Sequence, residues 1–273
     1  MRWRHAARYW HELGSRNPYG VILTGSDFQP RDWNADEFFR TGERDVADVS
    51  EELTRLAPAM PRRTALDFGC GVGRISRALA ARFDAVTGVD VAPSMIDGAR
   101  RFNASIANCH FVVNQAGHLR AFGDGAFDFV YSRLVLQHIP PKAAAHYVSE
   151  LVRVLAAGGV LMFQIPEPME QDPDALYRDE ERAFVEAPIA DTAIKRLAPR
   201  WLVRVYRRAR FRHLVPRRAR QHRMHMFGLT RDAVVDILGR AHADVLRIDD
   251  DRSHGVESPG YTYWVTKREV AAR

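Results

Sequence analysis

Residues 64–74 read Thr-Ala-Leu-Asp-Phe-Gly-Cys-Gly-Val-Gly-Arg, and this stretch decides the fold. An apolar run ending in Asp67 predicts a strand, the glycines at 69, 71 and 73 predict a turn, and residues 75–82 have a helical pattern. Glycine adopts backbone angles closed to other residues and lets a ligand approach the main chain closely. The stretch therefore predicts a ligand-binding loop followed by a helix whose free N–H groups face the ligand.

A second acid supports this interpretation. Residues 85–90, Ala-Val-Thr-Gly-Val-Asp, predict the next strand, and Asp90 stands at its end, 23 residues after Asp67. An acid at the end of the second strand commonly binds the hydroxyls of a ribose. The glycines follow the pattern Gly-x-Gly-x-Gly, whereas dinucleotide-binding enzymes usually show Gly-x-Gly-x-x-Gly. The pattern therefore predicts a nucleoside ligand that carries no pyrophosphate.

On these residues the chain resembles the class I S-adenosylmethionine-dependent methyltransferases. Asp67, Gly69, Gly71 and Gly73 match the first motif of that family, and Asp90 matches the second. The resemblance is good over residues 64–165 and weak over residues 226–268. It implies that S-adenosylmethionine is the cofactor, that the glycine loop lies against its amino-acid part and that Asp90 holds its ribose.

The resemblance also implies further contacts with the cofactor. The family often lays an apolar side chain against the adenine where this chain has Met95, and it usually has an Asp just beyond the third strand, where this chain reads Asn114-Gln115. An amide oxygen can accept the same hydrogen bond from the adenine amino group. The remaining implied cofactor contacts are Val91, Gln115, Ala116, Ser132 and Arg133.

Strands and helices alternate along the rest of the chain. Further strands are predicted at residues 109–113, 129–132 and 158–165, with helices at 75–82, 94–104 and 142–156. This alternation predicts an α/β fold with a doubly wound, mostly parallel sheet, which the resemblance makes seven-stranded and Rossmann-like. Two last strands, at 243–249 and 261–267, are joined by a loop too short for a helical crossover, so the last strand should run antiparallel.

Two residues near the strand ends are candidates for catalysis. His138 follows the fourth strand, and some small-molecule and sugar O-methyltransferases of the family use a His at the matching position as general base. Glu167 follows the fifth strand and is placed to hold or orient a hydroxyl. The alternatives stay open that His138 only packs the loop and that Glu167 is a surface acid.

The chain divides by pattern into four parts. Residues 1–63 predict an N-terminal helical cap, 64–167 the cofactor-binding core, 168–226 a basic helical insertion or lid, and 227–273 the C-terminal part of the sheet. Apolar positions on one helical face predict a helix over residues 45–57. The aromatic segment at 36–43 either folds over the cofactor or packs on the sheet edge.

The basic insertion has a local excess of charge. Residues 192–231 contain 13 basic residues and no acid, although the whole chain carries a formal charge of only +6. A basic amphipathic helix within residues 199–215 reads as an element for an anionic partner or a membrane surface. The arginines proposed for this contact are Arg204, Arg207, Arg208, Arg217 and Arg218. The alternatives are a nucleic acid, or a solvated lid whose arginines pair with acids elsewhere in the chain.

Composition narrows the remaining choices. Two cysteines indicate no disulfide framework, no apolar signal segment is visible, and no metal spacing is recognisable, so a cytoplasmic enzyme without a metal is predicted. No amine-methylation motif follows the fourth strand. The sequence thus predicts O-methylation of a hydroxyl on a small polar acceptor such as a sugar or glycoside. The alternatives are a lipid-linked or nucleic-acid substrate, and a non-catalytic S-adenosylmethionine-binding protein.

Overall fold

The computed structural model describes residues 8, 10–12, 14–15, 19, 22, 34–168, 226–253 and 259–269. The chain divides into two compact units, one formed by Met1–Met169 with Met226–Arg273 and the other by Glu170–His225. The predicted basic helix and its arginines lie outside the described residues. The four-part division predicted from the sequence therefore stays a prediction.

The described residues contain seven strands, which form one sheet in the order β3-β2-β1-β4-β5-β7-β6. Strands β1 to β5 pair in parallel, whereas β7 runs antiparallel to both β5 and β6. The predicted sheet and its antiparallel last strand are confirmed. The strands are β1 (Thr64–Phe68), β2 (Ala85–Asp90), β3 (Cys109–Val113), β4 (Phe127–Ser132), β5 (Leu155–Pro166), β6 (Ala243–Asp250) and β7 (Gly260–Lys267).

Within the described residues from 35 onward, five α-helices accompany the sheet. They are α1 (Ala35–Leu56), α2 (Arg74–Leu79), α3 (Pro93–Phe102), α4 (Pro141–Val154) and α5 (Arg231–Arg240). Helix α1 begins ten residues before the predicted start because Asn34 caps it, its side chain accepting from the Asp36 amide at 2.9 Å. Helix α5 was not predicted from the sequence; Thr230 caps it by accepting from the Ala233 amide.

Both faces of the sheet are covered. On one face Leu161 and Phe163 of β5 are fully buried in a cluster with residues of α4 and α5, including Leu151. On the other face Phe129 of β4 packs with residues of α1 and α2, including Leu53. Parallel strands buried on both faces need such continuous apolar runs. The carboxyl ends of β1, β2 and β4 consequently meet at one edge, where ligands bind in open α/β sheets.

Candidate functional site

A cavity of about 330 Å³ lies at this edge. The residues that line it follow β1, β2 and β4 directly, and others come from α1, from α2 and from the N-terminal residues. Of the residues predicted to bind the cofactor or to act in catalysis, the cavity brings together Asp67, Gly69, Gly71, Asp90, Val91, Met95, Arg133 and His138. Gly73, Gln115, Ala116, Ser132 and Glu167 are not among its lining residues.

The three glycines after β1 all adopt left-handed backbone angles. Their φ values are +82° at Gly69, +54° at Gly71 and +83° at Gly73. A Cβ at Gly69 would lie 2.2 Å from a Val135 methyl group, and one at Gly73 would lie 2.7 Å from Phe111. Both conformation and space therefore require glycine, as the sequence predicts. Gly73 therefore allows α2 to pack closely against β3, and it does not line the cavity.

The loop amides are engaged inside the protein. The Gly69 and Cys70 amides both donate to the Val89 carbonyl, at 2.7 and 3.0 Å. The Gly71 amide donates to Asp90 Oδ2 at 2.9 Å. A pyrophosphate site needs such N–H groups to point at the ligand. These three amides are therefore not free to bind a phosphate, which agrees with the ligand without a pyrophosphate that the Gly-x-Gly-x-Gly pattern predicts.

Asp90 links the loop to the next helix. Its Oδ1 accepts from the Ala92 amide at 2.9 Å while its Oδ2 accepts from Gly71. Burial raises the pKa of the Asp90 carboxyl, although the backbone hydrogen bonds oppose that rise. Each carboxylate oxygen keeps a second lone pair, so Asp90 can still accept from a ribose hydroxyl. Its predicted ribose contact fits this geometry.

Asp67 lies deeper, at the end of β1. Its side chain is 2% exposed, and Oδ2 accepts from the Ser76 hydroxyl at 2.6 Å. Burial raises the pKa of this carboxyl to about 6, and the Ser76 hydrogen bond and Arg74 oppose the rise. Asp67 therefore both pins α2 to β1 and lines the cavity.

The side of the cavity beyond β2 carries the apolar residues expected for a base. Met95 is buried, and it and Val91 line the cavity as predicted. From the loop after β3, Asn114 lines the cavity in place of the predicted Gln115. Gln115 instead donates to the Val91 carbonyl at 3.4 Å. The sequence placed an amide side chain at this position, but spacing alone could not decide whether Asn114 or Gln115 faces the cavity.

Ala116 and Ser132 also differ from their predicted positions. The Ala116 carbonyl accepts from the Tyr147 hydroxyl at 2.6 Å, so this residue anchors α4. Ser132 is fully buried within the sheet at the end of β4. Neither residue lines the cavity. Ser132 is excluded because successive residues of an extended strand point to opposite faces, and its neighbours Tyr131 and Arg133 line the cavity instead.

N-terminal residues form one wall of the cavity. Ile22 packs over the loop so closely that a Cβ at Gly71 would lie 2.6 Å from its Cδ1. The Ser94 amide at the start of α3 donates to His11 Nδ1 at 3.2 Å, and the Ser94 hydroxyl donates to the His11 carbonyl at 2.9 Å. Trp10 lines the cavity beside Ile22. The contacts that these N-terminal residues make with the glycine loop and with Ser94 were not predicted from the sequence.

A polar group from α1 and α2 lies at another part of the wall. Arg74 Nη1 is 2.6 Å from Asp45 Oδ2 and donates to Thr41 Oγ1 at 3.1 Å. All three residues line the cavity, and Arg74 is buried. The sequence analysis missed them. In the sequence, Arg74 stands out only as an arginine directly after the glycine loop. Its pairing with residues of α1 cannot be predicted until α1 is known to pack on α2.

His138 lies on the cavity wall in the 3₁₀ turn Leu136–His138, directly after β4. Its ring meets the Trp10 ring edge-on with centroids 4.9 Å apart. Its Nε2 lies 3.2 Å from the Gln137 amide nitrogen, so the orientation of that amide fixes which ring nitrogen carries the proton. The predicted placement of His138 at a ligand site therefore fits the structure.

Glu167 lies elsewhere. Its Oε1 accepts from the Arg231 amide at 2.9 Å, and its own amide donates to the Pro259 carbonyl at 2.8 Å. Arg231 begins α5, so the carboxylate stands at the positive end of that helix. This geometry supports an anchoring role for Glu167 rather than the predicted contact with an acceptor.

The strand order, the loop between β1 and α2 and the acid after β2 define a class of protein, the class I S-adenosylmethionine-dependent methyltransferases. Residues 66–163 match the family described as "Methyltransferase domain". These residues form a methyltransferase domain of that class, and S-adenosylmethionine is the cofactor of the class, as predicted from the sequence. The more specific likeness to sugar O-methyltransferases is not confirmed.

Named relatives share the core of the chain. A trans-aconitate 2-methyltransferase from Methylobacterium nodulans is 30% identical over 161 residues, 58% of each chain. A malonyl-[acyl-carrier protein] O-methyltransferase from Serratia marcescens is 36% identical over 116 residues, which is 42% of this chain and 43% of the relative. The chain thus spans about half the length of the curated relatives it matches.

Solved structures share the fold. The magnesium protoporphyrin IX methyltransferase from Synechocystis with bound S-adenosylmethionine superposes with a TM-score of 0.57 at 16% identity, over 98% of this chain and 97% of that one. A methyltransferase from Leishmania major gives a TM-score of 0.60 at 11% identity, over 97% and 82%.

The described ranges contain no candidate membrane-spanning helix and no candidate metal site. None of the described helices is both long and apolar enough to cross a membrane. In the same part of the chain, no group of three His, Cys, Asp or Glu side chains is arranged to hold a metal ion. Cys70 and Cys109 are both buried as free thiols. The cytoplasmic location stays a prediction.

Proposed function

We propose that this protein transfers the methyl group of S-adenosylmethionine to an oxygen atom of a small polar acceptor. The observation that carries the proposal is one continuous cavity that contains Gly69, Asp90 and His138. Gly69 belongs to a loop with no room for a Cβ, the Asp90 carboxylate holds that loop through the Gly71 amide, and His138 can transfer a proton near neutral pH.

The cofactor supplies a methyl group on a positively charged sulfur, so the reaction needs positioning more than covalent help. Asp90 accepts from the ribose hydroxyls, and Met95 and Val91 pack against the base. Asp67 places a buried negative charge near the cationic ligand. His138 takes the proton of an acceptor hydroxyl as its oxygen forms the bond to carbon.

A sugar or glycoside remains the acceptor proposed from the sequence. In its support, the Trp10 ring lies against His138 in the cavity wall, where an aromatic face can pack against a sugar ring. A second candidate is favoured by the names of the relatives: trans-aconitate and malonyl groups both carry carboxylates. A carboxylate acceptor is already ionised at neutral pH and needs no general base.

The test uses a methyl-labelled donor with panels of sugars, glycosides, carboxylic acids, lipids and RNA. With a hydroxyl acceptor, His138→Ala should slow transfer by roughly 10²–10⁴-fold and leave the dissociation constant of S-adenosylhomocysteine nearly unchanged. The pH–rate profile should also lose its ascending limb near a pH of about 6.5. His110→Ala, at an exposed histidine of β3, is the matched control.

Near-wild-type turnover of His138→Ala on the true acceptor would make His138 structural and favour the carboxylate acceptor. Failure of the wild-type protein to bind S-adenosylhomocysteine in calorimetry would overturn the proposal as a whole. Cofactor binding without transfer to any acceptor class would favour the non-catalytic binding protein.

A further inference from the structure

One end of the cavity carries hydrogen-bond donors for which the described residues offer no acceptor of normal geometry. Tyr131 is 2% exposed and lines the cavity next to Arg133. Tyr131 Oη and Arg133 Nε are buried, and among the described residues neither has a hydrogen-bond partner of normal geometry, although the two side chains lie close enough to interact with each other. Buried polar atoms are almost always hydrogen-bonded, so such a pair marks a place for a ligand.

The two side chains lie close together. Burial raises the pKa of the Tyr131 hydroxyl to about 12, and nearby Arg133 opposes that rise. Tyr131 therefore keeps its proton at neutral pH and remains a donor. Arg133 has N–H donors and no acceptor. Together they offer donors to a single group.

The neighbouring acids are already occupied. Asp251 Oδ2 lies 3.6 Å from Arg133 Nε, an ion pair but too long for a hydrogen bond. Asp251 instead accepts from the Ser253 amide at 2.8 Å and from the Thr262 hydroxyl at 2.7 Å. Asp45, the other acid on this wall, is paired with Arg74. Arg133 is thus oriented by Asp251 without being satisfied by it.

Unused donors from a guanidinium and a phenol suit a ligand group that only accepts. A carboxylate is such a group, and arginine binds it through parallel N–H bonds. An ammonium group has no acceptor to offer Arg133, and a neutral hydroxyl would accept only a single, weaker hydrogen bond.

The position in the sheet indicates which ligand brings the carboxylate. Asp90, Met95 and Asn114 follow β2 and β3, on one side of β1. Arg133 and His138 follow β4, on the other side, and Asp251 follows β6, the edge strand on that side of the sheet. The nucleoside side of the cavity and the Arg133 side therefore lie across β1 from each other, and Arg133 shares its side with the predicted base.

We propose that Tyr131 and Arg133 bind a carboxylate of the methyl acceptor, so that the acceptor is a small carboxylic acid or an acidic sugar. This inference rests on the proposed function. It makes Arg133 a residue that binds the acceptor, whereas the sequence predicted that Arg133 binds the cofactor. Cofactor and acceptor both bring carboxylates, so the test has to separate them.

Calorimetry on the full chain separates them. Trans-aconitate and D-glucuronate are titrated into protein with and without saturating S-adenosylhomocysteine, beside trimethyl trans-aconitate and D-glucose as neutral counterparts. The variants are Arg133→Gln and Tyr131→Phe, with Arg252→Gln as matched control because Arg252 is exposed nearby and does not line the cavity. S-Adenosylhomocysteine and 5′-methylthioadenosine, which lacks the amino-acid tail, are titrated into each protein.

We expect at least one acid to bind the wild-type protein and its neutral counterpart not to bind. Arg133→Gln should weaken binding of the acid by about 10- to 100-fold, and Tyr131→Phe should weaken it by about tenfold. Arg252→Gln should bind the acid as tightly as the wild-type protein does. Both nucleosides should bind all variants equally well.

Two results would overturn the proposal. One is that neither acid binds the wild-type protein in either state. The other is that Arg133→Gln weakens the binding of S-adenosylhomocysteine tenfold but does not weaken the binding of 5′-methylthioadenosine. Arg133 would then bind the amino-acid tail of the cofactor. Loss of nucleoside binding in the wild-type protein would instead count against the proposed function, and the titrations without nucleoside would still decide the carboxylate subsite.

Discussion

Asp90 has two tasks that one experiment can separate. It holds the Gly71 and Ala92 amides, and it faces the cavity. Asp90→Ala should weaken S-adenosylhomocysteine binding by roughly 10- to 100-fold, because a charged acceptor for the ribose is lost. The measurement is calorimetry, with Asp97→Ala on the exposed side of α3 as control. An unchanged dissociation constant would remove Asp90 from the ribose site.

Asp67 makes stability depend on pH. Its folded pKa is about 6, whereas an unfolded aspartate has a pKa of about 3.9. Between these values the folded protein binds a proton that the unfolded chain has released, so the free energy of unfolding falls as pH rises from about 4 to about 6. The buried charge thus lowers the stability of the ligand-free protein at neutral pH.

Asp67→Asn tests this dependence, because an amide oxygen can still accept from Ser76. The variant should be more stable than wild type at pH 7.5 by on the order of 2–3 kcal/mol, and the difference should vanish below about pH 4. Thermal melts between pH 4 and 8 measure it, with exposed Asp48→Asn as control. A difference that did not change with pH would contradict the assignment to Asp67.

Among single residues, the sequence predicted those whose backbone conformation or strand-end position is fixed by local rules. Gly69, Gly71 and Asp90 are examples. It could not predict Asn114 over Gln115, nor Asp45 opposite Arg74, because those choices depend on side-chain direction and on contacts between distant segments.

At the scale of elements, the loop after β1 gives a sharp test. Gly69→Ala places a Cβ 2.2 Å from Val135 at a φ of +82°, so it should destabilise the protein by about 1–3 kcal/mol and reduce nucleoside binding. Gly239→Ala in α5 meets no atom within 4 Å and should stabilise by about 0.4–1 kcal/mol. Chemical denaturation measures both. Equal effects of the two changes would contradict this account.

Helix α5 gives a second test. Glu167→Gln removes a charge from the N-terminus of α5 and should lower stability by about 0.3–1 kcal/mol, while kcat and the pH–rate profile stay close to wild type. Asp236→Asn, in the middle of the same helix and exposed, is the control. A large loss of kcat without a loss of stability would instead restore the catalytic role predicted from the sequence.

The elements themselves were largely predictable. Strands β2 and β3 occupy the predicted residues, and the other strands differ by a few residues at their ends. Helix α5 was missed because its apolar and polar residues divide less clearly into two faces than those of α1 and α3; Val234 and Leu238 are its buried side chains. Its packing against α4, rather than its own pattern, holds it in place.

At the scale of the whole molecule, the basic segment at 192–231 concentrates positive charge in one part of the sequence. We expect it to govern partner choice, because its charge is local and lies outside the segment of the sequence that carries the cofactor motifs. Neutralising Arg207, Arg208, Arg217 and Arg218 should weaken association with anionic vesicles or acidic acceptors in a salt-dependent way and leave nucleoside affinity unchanged.

Vesicle sedimentation and activity assays at several salt concentrations measure this effect, with neutral vesicles as control. Salt-independent behaviour of the neutralised variant would favour a solvated lid. Retention on RNA that the four changes abolish would favour a nucleic-acid substrate.

The three glycines of the loop also set limits on the rest of the sequence during evolution. Each has a different neighbour at the position where a Cβ would stand: Val135, Ile22 or Phe111. Side chains from three remote segments therefore fill the space that the absent Cβ atoms leave free. A saturation-mutagenesis library should accept smaller residues at 22 and 135 far more readily than larger ones, and second-site suppressors of an enlarged residue there should arise outside the loop.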